Sequence, residues 1–521
     1  MHIFETNKPF SSSGLWQLQR DYYTNAGIKA WRNGDVPHYI TNNPAMAATY
    51  AEIIFGFLRD RARIAPHQNE NIYLLELGTG SGRLAYHLLS HLHTLCENAA
   101  FEVPPFTYIM SDLSPHNISF WKSHQKLKPF LDKNGLDFAC FDVNVSDEIN
   151  LQVSGARLTK GTLKAPLLIV ANYLLDSVPQ DLFYITQKKV YDAETVLTIT
   201  GDYKETMTPA DIMPQLQADY HTLITDPTTR YAENALNLLL EYYRLHINQS
   251  WLLFPHIAIR CLERLRSISA GGFLLISADK GRHQLPDLDY NEPPQIIKHG
   301  GGFSLNVNFH ALVAYFASCG ALSFNTRQYH ESISVSALLM LEQPANYVET
   351  AMAFRNHAER FGPDDAFRLK KHFTQNAYEL SLVQIESCLR LLWFDTNMFR
   401  ELIPGLLILA EDATPKEITN ISLLLYEVWN NYYGIGEEGD LAFDIGSIFY
   451  QLSRYKDALF FFERSLEVHP PDTAVLYNMA GCYYMLRDDE QALKWIDQTF
   501  KLNPEHEGAH RLLKELSEVK S

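Results

Sequence analysis

The stretch ELGTGSG, residues 76–82, is the feature that most constrains the fold of this chain. It follows the apolar run IYLL and precedes RLAYHLLSHL, whose apolar spacing is typical of a helix. Gly78, Gly80 and Gly82 allow positive φ angles and a close approach of a ligand to the backbone. A strand, a glycine turn and a helix in this order predict a nucleotide-binding turn in an α/β sheet.

Further apolar runs predict more strands of the same sheet, and helical patterns lie between them. Alternating strands and helices are typical of a parallel sheet, and runs that are apolar throughout suit strands covered on both faces. Residues 186–250 interrupt this order with a β-rich and then a helical stretch, which predicts an insertion or lid. The predicted strands after IYLLEL are FTYIMSDL, DFACFDV, PLLIVAN, FLLISAD and SISVSALLML.

The last third of the chain, 346–521, contains only helical patterns, and its end repeats with a period of 34 residues. Ala458 and Ala492 are separated by this interval, as are Pro470 and Pro504. A 34-residue period with fixed small and proline positions is the signature of the tetratricopeptide repeat. We therefore expect an all-α solenoid with clear repeats at 439–472 and 473–506. We also expect helix boundaries at Pro404 and Pro415.

Charge and composition narrow the classes of partner. The formal net charge is −17, which disfavours binding to nucleic acid or to an anionic membrane. Six scattered cysteines predict reduced thiols, and the histidines lack the spacing of a metal site. No apolar run approaches the roughly 20 residues of a membrane span, and the first residues lack a signal-peptide pattern. We expect a cytoplasmic protein with no nucleic-acid or membrane partner and no metal.

The acid before the turn narrows the choice of cofactor. Arg83 stands where a dinucleotide-binding turn has its third glycine, and a P-loop would need Lys followed by Ser or Thr. The pattern E-x-G-x-G-x-G resembles motif I of class I S-adenosylmethionine-dependent methyltransferases. The alternative is a glycine turn in another doubly wound protein. The resemblance implies a Rossmann-like methyltransferase domain over 71–345 with S-adenosyl-L-methionine held by Glu76, Gly78, Thr79, Gly80 and Gly82.

The same resemblance implies cofactor contacts at the ends of the next two strands. Asp112, followed by Leu113, stands where the family has an acid for the ribose hydroxyls, and a carboxylate can accept both hydrogen bonds. Asp142, followed by Val143, stands where the family has an acid near the adenine. Asp112 could instead cap the helix that follows it.

One segment resembles a narrower group. LLIVANYLLDSVPQDLF is similar to the NEFFDALP element of the MidA-like methyltransferases, which include the mitochondrial complex I assembly protein arginine methyltransferase. YYTNAGIKAWRNGDVPHYIT, GGFLLISADKG and FSLNVNFHALVAYFASCG resemble other segments of that family in the same order, so the resemblance covers about 20–342. It implies that 1–70 is a helical segment covering the cofactor, with Thr41 among the cofactor contacts.

The acceptor side departs from this family. We take Asn172, Tyr173 and Asp176 as the candidate catalytic residues, and Asn172 also as a cofactor contact. Tyr173 replaces the family's Glu, so that Asp176 alone remains of an acidic pair. A carboxylate is the natural partner of a guanidinium, and losing one weakens the prediction of arginine methylation. Ordinary loop packing of Tyr173 and helix capping by Asp176 are the competing interpretations.

These features give one main hypothesis with two alternatives. The chain is expected to transfer a methyl group from S-adenosyl-L-methionine to a side chain of a protein or peptide, with arginine as one candidate. The tetratricopeptide region would recruit that substrate. The alternatives are a small-molecule N- or O-methyltransferase and a non-catalytic scaffold that binds the cofactor.

Overall fold

The computed structural model describes residues 2–36, 39–65, 70–327 and 333–519. The chain divides into two compact units, residues 1–366 and 367–521. The division lies after the predicted boundary at residue 345 because the helix Val348–Phe354 packs on the first unit. There, Asp60 accepts hydrogen bonds from the Thr350 N–H and hydroxyl at 2.8 and 2.9 Å.

Strands occur throughout the first unit. Within the described ranges they are β1 (His2–Pro9), β2 (Ile72–Leu77), β3 (Phe106–Asp112), β4 (Leu136–Cys140), β5 (Ile149–Asn150), β6 (Arg157–Leu158), β7 (Leu167–Asn172), β8 (Asp181–Thr186), β9 (Lys189–Ile199), β10 (Leu216–Thr225), β11 (Gln249–Phe254), β12 (Phe273–Asp279), β13 (Gly281–Arg282), β14 (Ile297–His299), β15 (Gly302–Ser304), β16 (Val307–Asn308), β17 (Leu322–Asn325) and β18 (Ser334–Met340).

A seven-stranded sheet forms the centre of the unit, in the order β17-β18-β12-β7-β2-β3-β4. The five strands from β12 to β4 are parallel, and β18 runs antiparallel to both of its neighbours, β12 and the edge strand β17. All six predicted strands belong to this sheet, which confirms the predicted α/β fold. The chain order reverses between β2 and β7, and ligands of open α/β sheets bind outside the carboxyl ends of strands at such a point. The glycine turn directly follows β2 there.

Helices flank this sheet and cover its carboxyl edge. The α-helices of this unit are α1 (Gly14–Ala26), α2 (Lys29–Arg32), α3 (Tyr39–Asn42), α4 (Pro44–Ile64), α5 (Arg83–Glu97), α6 (Pro115–Ser123), α7 (Lys128–Asp132), α8 (Pro209–Ile212), α9 (Asn234–His246), α10 (His256–Ile268), α11 (Phe309–Ser318) and α12 (Val348–Phe354), and α13 (Pro363–Gln375) spans the division between the two units. The start of α4 shows how local sequence sets an end: Pro44 is its first residue, and the Asn43 side chain accepts the Met46 N–H at 2.9 Å.

A second, antiparallel sheet is built from the N-terminus and the region around the predicted insertion. Its order is β1-β9-β8-β11, and β10 also pairs with β9. The expectation of a helical segment over 1–70 is therefore wrong for β1. The strand forms because its backbone pairs with β9 from His2 opposite Ile199 to Pro9 opposite Glu194, a contact across about 190 residues that no local pattern announces.

The second unit is entirely helical within the described ranges. Its helices after α13 are α14 (Leu382–Leu391), α15 (Thr396–Glu411), α16 (Pro415–Asn431), α17 (Leu441–Gln451), α18 (Tyr455–Val468), α19 (Thr473–Met485), α20 (Asp489–Leu502) and α21 (Glu507–Val519). Pairs α17–α18 and α19–α20 correspond to the two predicted repeats. A Cβ on Gly446 would lie 2.7 Å from the Phe462 ring, so that small residue allows the paired helices to approach closely.

The two prolines of this unit behave differently. Pro415 begins α16, where Thr414 and Glu417 form a reciprocal capping box, as expected. The boundary predicted at Pro404 is wrong, since Pro404 lies inside α15. An interior proline costs about 3 kcal/mol of helix stability, and burial of the neighbouring Leu402 and Leu406 offsets that cost. Across the described parts of the chain, no helix combines the length and the apolar character needed to cross a membrane.

Candidate active site

The glycine turn has a backbone that side chains could not adopt without strain. Gly78 and Gly80 have φ angles of +64° and +60°. A Cβ on Gly78 would lie 2.8 Å from Leu174, and one on Gly80 would lie 2.7 Å from the Trp31 ring. Both the φ angles and the packing therefore exclude side chains at these two positions. The backbone of the turn lies at the carboxyl edge of the sheet.

Glu76 is buried beneath the turn and holds it in shape. Its carboxyl accepts the Tyr108 hydroxyl at 2.9 Å and the Thr79 hydroxyl at 3.0 Å. The Thr79 N–H in turn donates to the Ser111 carbonyl at 2.9 Å. Burial raises the pKa of Glu76 to about 8, although the two hydroxyl hydrogen bonds oppose the rise. Glu76 can therefore take up a proton near neutral pH in the absence of a cationic ligand.

This raised pKa predicts a pH-dependent stability. Because the folded-state pKa of Glu76 lies above its ordinary value of 4.5, the stabilisation from its protonated form is present at low pH and is lost as pH rises through about 8. We expect the free energy of unfolding of the wild type to fall, relative to Glu76→Gln, between about pH 5 and pH 8. Urea unfolding at several pH values measures this; parallel curves for the two proteins would contradict it.

Asp112, at the end of β3, ties the turn to the neighbouring strand. One carboxyl oxygen accepts the Gly80 N–H at 3.0 Å, and the other accepts the Ser114 N–H at 2.8 Å. Burial raises the pKa of Asp112, and these N–H groups oppose the rise. Each oxygen has two lone pairs, so both can still accept a hydroxyl group from a ligand.

Asp142, just beyond β4, is paired with a residue that the sequence analysis did not select. The Arg20 guanidinium on α1 donates to both of its oxygens, at 3.1 and 2.5 Å. Burial alone would raise the pKa of Asp142, but the hydrogen bonds from Arg20 and the Asn144 N–H outweigh it and lower the pKa. A bidentate pair of this kind fixes α1 over the carboxyl edge of the sheet.

A cavity of about 860 Å³ lies between this edge and the N-terminal helices. The predicted residues of the turn that line it are Glu76, Gly78, Thr79 and Gly80. The predicted residues at the other strand ends that line it are Asp112, Leu113, Asp142, Val143, Asn172 and Tyr173. Gly82, which immediately precedes α5, and Asp176 are not among its lining residues. Thr41 belongs to α3, but its side chain lies outside the described part of the structure.

The loop after β7 presents Asn172 and Tyr173 to the cavity. The Asn172 side chain accepts the Tyr50 hydroxyl of α4 at 2.9 Å. Tyr173 has a φ angle of +51°, and its N–H donates to the Ala278 carbonyl at 2.9 Å. Burial, with a contribution from Asp176, raises the pKa of Tyr173 to about 12, so its hydroxyl is protonated at neutral pH.

Asp176 lies behind the cavity wall. It is fully buried in the helical turn Leu175–Ser177, where it does not cap a regular α-helix. Its backbone N–H donates to Asp279 at 3.2 Å, and the Ser177 hydroxyl donates to its Oδ1 at 3.0 Å. Burial raises the pKa of Asp176 to about 6, and burial together with Asp176 raises the pKa of Asp279 well above its ordinary value.

Sequence reasoning missed the residues that the N-terminal helices contribute. Arg20, Gln19 and Trp31 line the cavity, and Tyr50 holds Asn172. None of them stands in a motif with a recognisable spacing to its partner, because Arg20 and Tyr50 each contact a residue 122 positions away. The family resemblance of the segment that begins at Tyr22 is the only signal in the sequence that this region covers the site.

Comparison with protein families gives two matches on this chain. Residues 60–317 match the family described as "Putative S-adenosyl-L-methionine-dependent methyltransferase". Residues 449–516 match a tetratricopeptide repeat model. No curated protein matches the chain significantly.

Two solved structures, both of Burkholderia thailandensis proteins from one superfamily, align with the chain. The first is a native crystal structure, with 12% identity over 66% of this chain and 90% of that one and a TM-score of 0.40. The second, described as a "likely methyl transferase", was solved bound to S-adenosyl-homocysteine; it has 13% identity, the same two coverages and a TM-score of 0.42.

The cavity is compatible with S-adenosyl-L-methionine. The glycine turn faces a cavity whose volume of about 860 Å³ lies within the roughly 300–1,000 Å³ typical of small-molecule sites. Carboxyl groups on the neighbouring strand ends supply acceptors for hydroxyl and amino groups. The chain is thus an S-adenosyl-L-methionine-dependent methyltransferase that also carries a tetratricopeptide repeat.

Proposed function

We propose that the enzyme is of the MidA-like type and methylates a side chain of a protein or peptide that the tetratricopeptide region recruits. The observation that carries this proposal is the occurrence of both family matches on one chain, over 60–317 and 449–516. Tetratricopeptide surfaces characteristically bind extended peptides. A recruiting region raises the local concentration of a macromolecular substrate, whereas a small molecule has no need of one.

The cofactor roles follow from the positions of the polar groups. Asp112 accepts the ribose hydroxyls with its remaining lone pairs, and Asp142 with Val143 contacts the adenine. Glu76 acts through the turn on the amino-acid end of the cofactor, whose cationic groups favour the ionised carboxyl. The cofactor supplies a methyl group already activated on a sulfonium. Gly78, Gly80 and their neighbours therefore need only hold and align it.

Asn172 and Tyr173 form the acceptor side of the site. Enzymes of this kind gain most from aligning the two reactants and from excluding water. Tyr173, protonated at neutral pH, donates a hydrogen bond to the acceptor, and Asn172 is held in position by Tyr50. Asp142 at the cavity is already paired with Arg20, and Asp176 lies behind the wall. This pattern favours an uncharged acceptor over an arginine guanidinium.

A labelling assay tests the proposal, with S-adenosyl-L-methionine that carries a labelled methyl group and a lysate of the cells in which the protein occurs. We expect the purified full-length chain to transfer label from S-adenosyl-L-methionine into the protein fraction. Mass spectrometry of the labelled band then identifies the methylated residue. Label confined to small molecules would support the small-molecule alternative, and cofactor binding without any transfer would support the scaffold alternative.

The recruiting role predicts a selective loss on truncation. Ending the chain after Gln375 keeps α13 intact and removes every later helix. We expect labelling of protein to fall by at least about tenfold, because the local concentration of substrate is lost. Calorimetry should give a Kd for the cofactor within about twofold of the wild-type value, which controls for folding of the first unit. Unchanged labelling would exclude recruitment by these helices.

We also propose a reducing, cytoplasmic location. Cysteines often form disulfides in oxidising compartments, and none of the described cysteines forms one here. The six unpaired residues, all within the described ranges, are Cys96, Cys140, Cys261, Cys319, Cys388 and Cys482.

A further inference from the structure

Two buried oxygen atoms near the acceptor side have no hydrogen-bond partner among the described residues. They are the Ser304 hydroxyl, on β15, and Oδ2 of Asp176. Ser304 is 5% exposed and Asp176 is fully buried. A buried polar atom left without a partner costs roughly 1–3 kcal/mol, so a group that completes its hydrogen bond would recover this free energy.

The fold brings these two groups together. β15 lies against the helical turn Leu175–Ser177 that contains Asp176. Gln19 joins the two segments, because its side chain donates to the Ser177 carbonyl at 3.4 Å and accepts the Phe303 N–H at 3.0 Å. The Ser304 hydroxyl is close enough to lower the pKa of both Asp176 and Tyr173, although it completes a hydrogen bond with neither.

Ser304 lies on the cavity side of this pair and Asp176 on the far side. Ser304 lines the cavity together with Tyr173 and Ser177, whereas Asp176 does not reach it. Ser304 therefore stands between the cavity and Asp176, so that a molecule in the cavity approaches the carboxyl only past this residue. Among the described groups facing Asp176, Tyr23 and Tyr173 are protonated at neutral pH and contribute no charge.

Asp279 is the second carboxyl group beside Asp176, and it determines how many negative charges the two groups carry together. It accepts the Asp176 N–H at 3.2 Å and the Lys280 N–H at 2.8 Å. Two carboxyls buried side by side do not both ionise near neutral pH, because each negative charge disfavours the other. The pair therefore holds one proton and one negative charge, and it can accept a second proton at a low free-energy cost.

We propose that Ser304 passes a proton from the methyl acceptor to Asp176 during transfer. As the bond between the methyl group and sulfur breaks, its electron pair stays on sulfur, and the acceptor atom forms the new bond to the methyl group. The acceptor's proton moves to Oγ of Ser304, and the hydroxyl proton of Ser304 moves to Oδ2 of Asp176. The inference rests on the proposed function, and it specifies the acceptor as an N–H or O–H group that must lose a proton.

A titration tests the pair without requiring an acceptor. We expect potentiometric curves of the full chain to show about one more proton released between pH 5 and pH 7 by the wild type than by Asp176→Asn. Ser304→Ala should move that step to higher pH, since the hydroxyl that lowers the pKa is lost. Superimposable curves for the wild type and Ser304→Ala would overturn the inference, even if Asp176→Asn failed to fold.

Kinetics test the transfer itself. With labelled cofactor and the cell lysate as acceptor source, we expect Ser304→Ala to lower the labelling rate about 100-fold at pH 7, with the KM for S-adenosyl-L-methionine unchanged. Ser304→Thr keeps the hydroxyl and should retain most of the rate. The matched control is Thr195→Val, which removes a buried, unpartnered hydroxyl in β9 outside the cavity.

The outcomes separate the inference from the proposed function. A wild type that does not label protein contradicts the proposed function, while the titration still decides whether Ser304 and Asp176 interact. Labelling by the wild type that Ser304→Ala leaves unchanged overturns the proton transfer alone. A loss of rate shared by Ser304→Ala and Thr195→Val would show a general loss of packing and would also overturn it.

Discussion

Replacing Gly80 with alanine should weaken binding of S-adenosyl-L-methionine by at least about 100-fold, which corresponds to ~2.7 kcal/mol. Two effects add. The φ angle of +60° is unfavourable for any residue with a Cβ, and that Cβ would lie 2.7 Å from the Trp31 ring. Either the Trp31 ring or the turn must shift to make room, so the contact between the turn and this part of its cover is lost. Isothermal calorimetry with the full chain measures the loss.

Gly155→Ala is the matched control for this substitution. Gly155 has a φ angle of +72°, so alanine there carries the same kind of backbone strain. A Cβ at this position meets nothing within 4 Å, and the residue does not line the cavity. We expect an unchanged Kd for the cofactor. An equal loss of affinity in both variants would mean that backbone strain, and not contact at the turn, is responsible.

The Asp112→Asn substitution should weaken cofactor binding about tenfold to several hundredfold. The two carboxyl oxygens accept N–H groups from opposite sides, Gly80 at 3.0 Å and Ser114 at 2.8 Å. An amide has one acceptor oxygen, so its NH2 group must face one of these donors. The turn is therefore pushed away from β3, and the ribose loses an acceptor. Competition with S-adenosyl-homocysteine in calorimetry extends the measurement to weak binding.

Asp137→Asn is the matched control, because it distinguishes a local effect on the cofactor site from a general loss of stability. Asp137 is also a buried acid of the central sheet, and it accepts the Val153 and Ser154 N–H groups at 2.8 and 3.0 Å. Like Asp112→Asn, its substitution should lower the free energy of unfolding, but Asp137 does not line the cavity. We expect the folded fraction to bind the cofactor normally. A similar loss of affinity in both variants would contradict the role assigned to Asp112.

The convergence of the polar strand ends on one cavity could be predicted from the sequence because it depends on local patterns. The parallel strands β2, β3, β4 and β7 are apolar runs with a polar residue at or close to their carboxyl ends, and parallel strands bring those ends together. Glu76, Asp112, Asp142 and Asn172 therefore meet at one edge of the sheet, and all four line the same cavity. The 34-residue period identified the repeats for the same reason, since each repeat packs mainly on its neighbours.

The cover of the site and the surroundings of Asp176 could not be predicted in this way. The pairing of Arg20 with Asp142 and of Asp176 with Asp279 joins residues more than 100 positions apart, and neither partner alone has an unusual setting in the sequence. His87 of α5 illustrates the same limit: the side chain is buried, and burial lowers its pKa to about 3. Tertiary packing, not local pattern, decides such positions.

The pairing of β1 with β9 has a consequence for the order in which the chain folds during synthesis. The β1 strand leaves the ribosome before its partner, Lys189–Ile199, which follows only after about 180 further residues. At roughly 5–20 residues per second, β1 waits for several seconds or more with its backbone unpaired. The α1 helix that follows it contributes Arg20 to the cavity, so the cofactor site can be completed only after that wait. A nascent chain arrested before residue 189 should therefore expose its first ten residues to protease, and one arrested well beyond residue 254 should protect them.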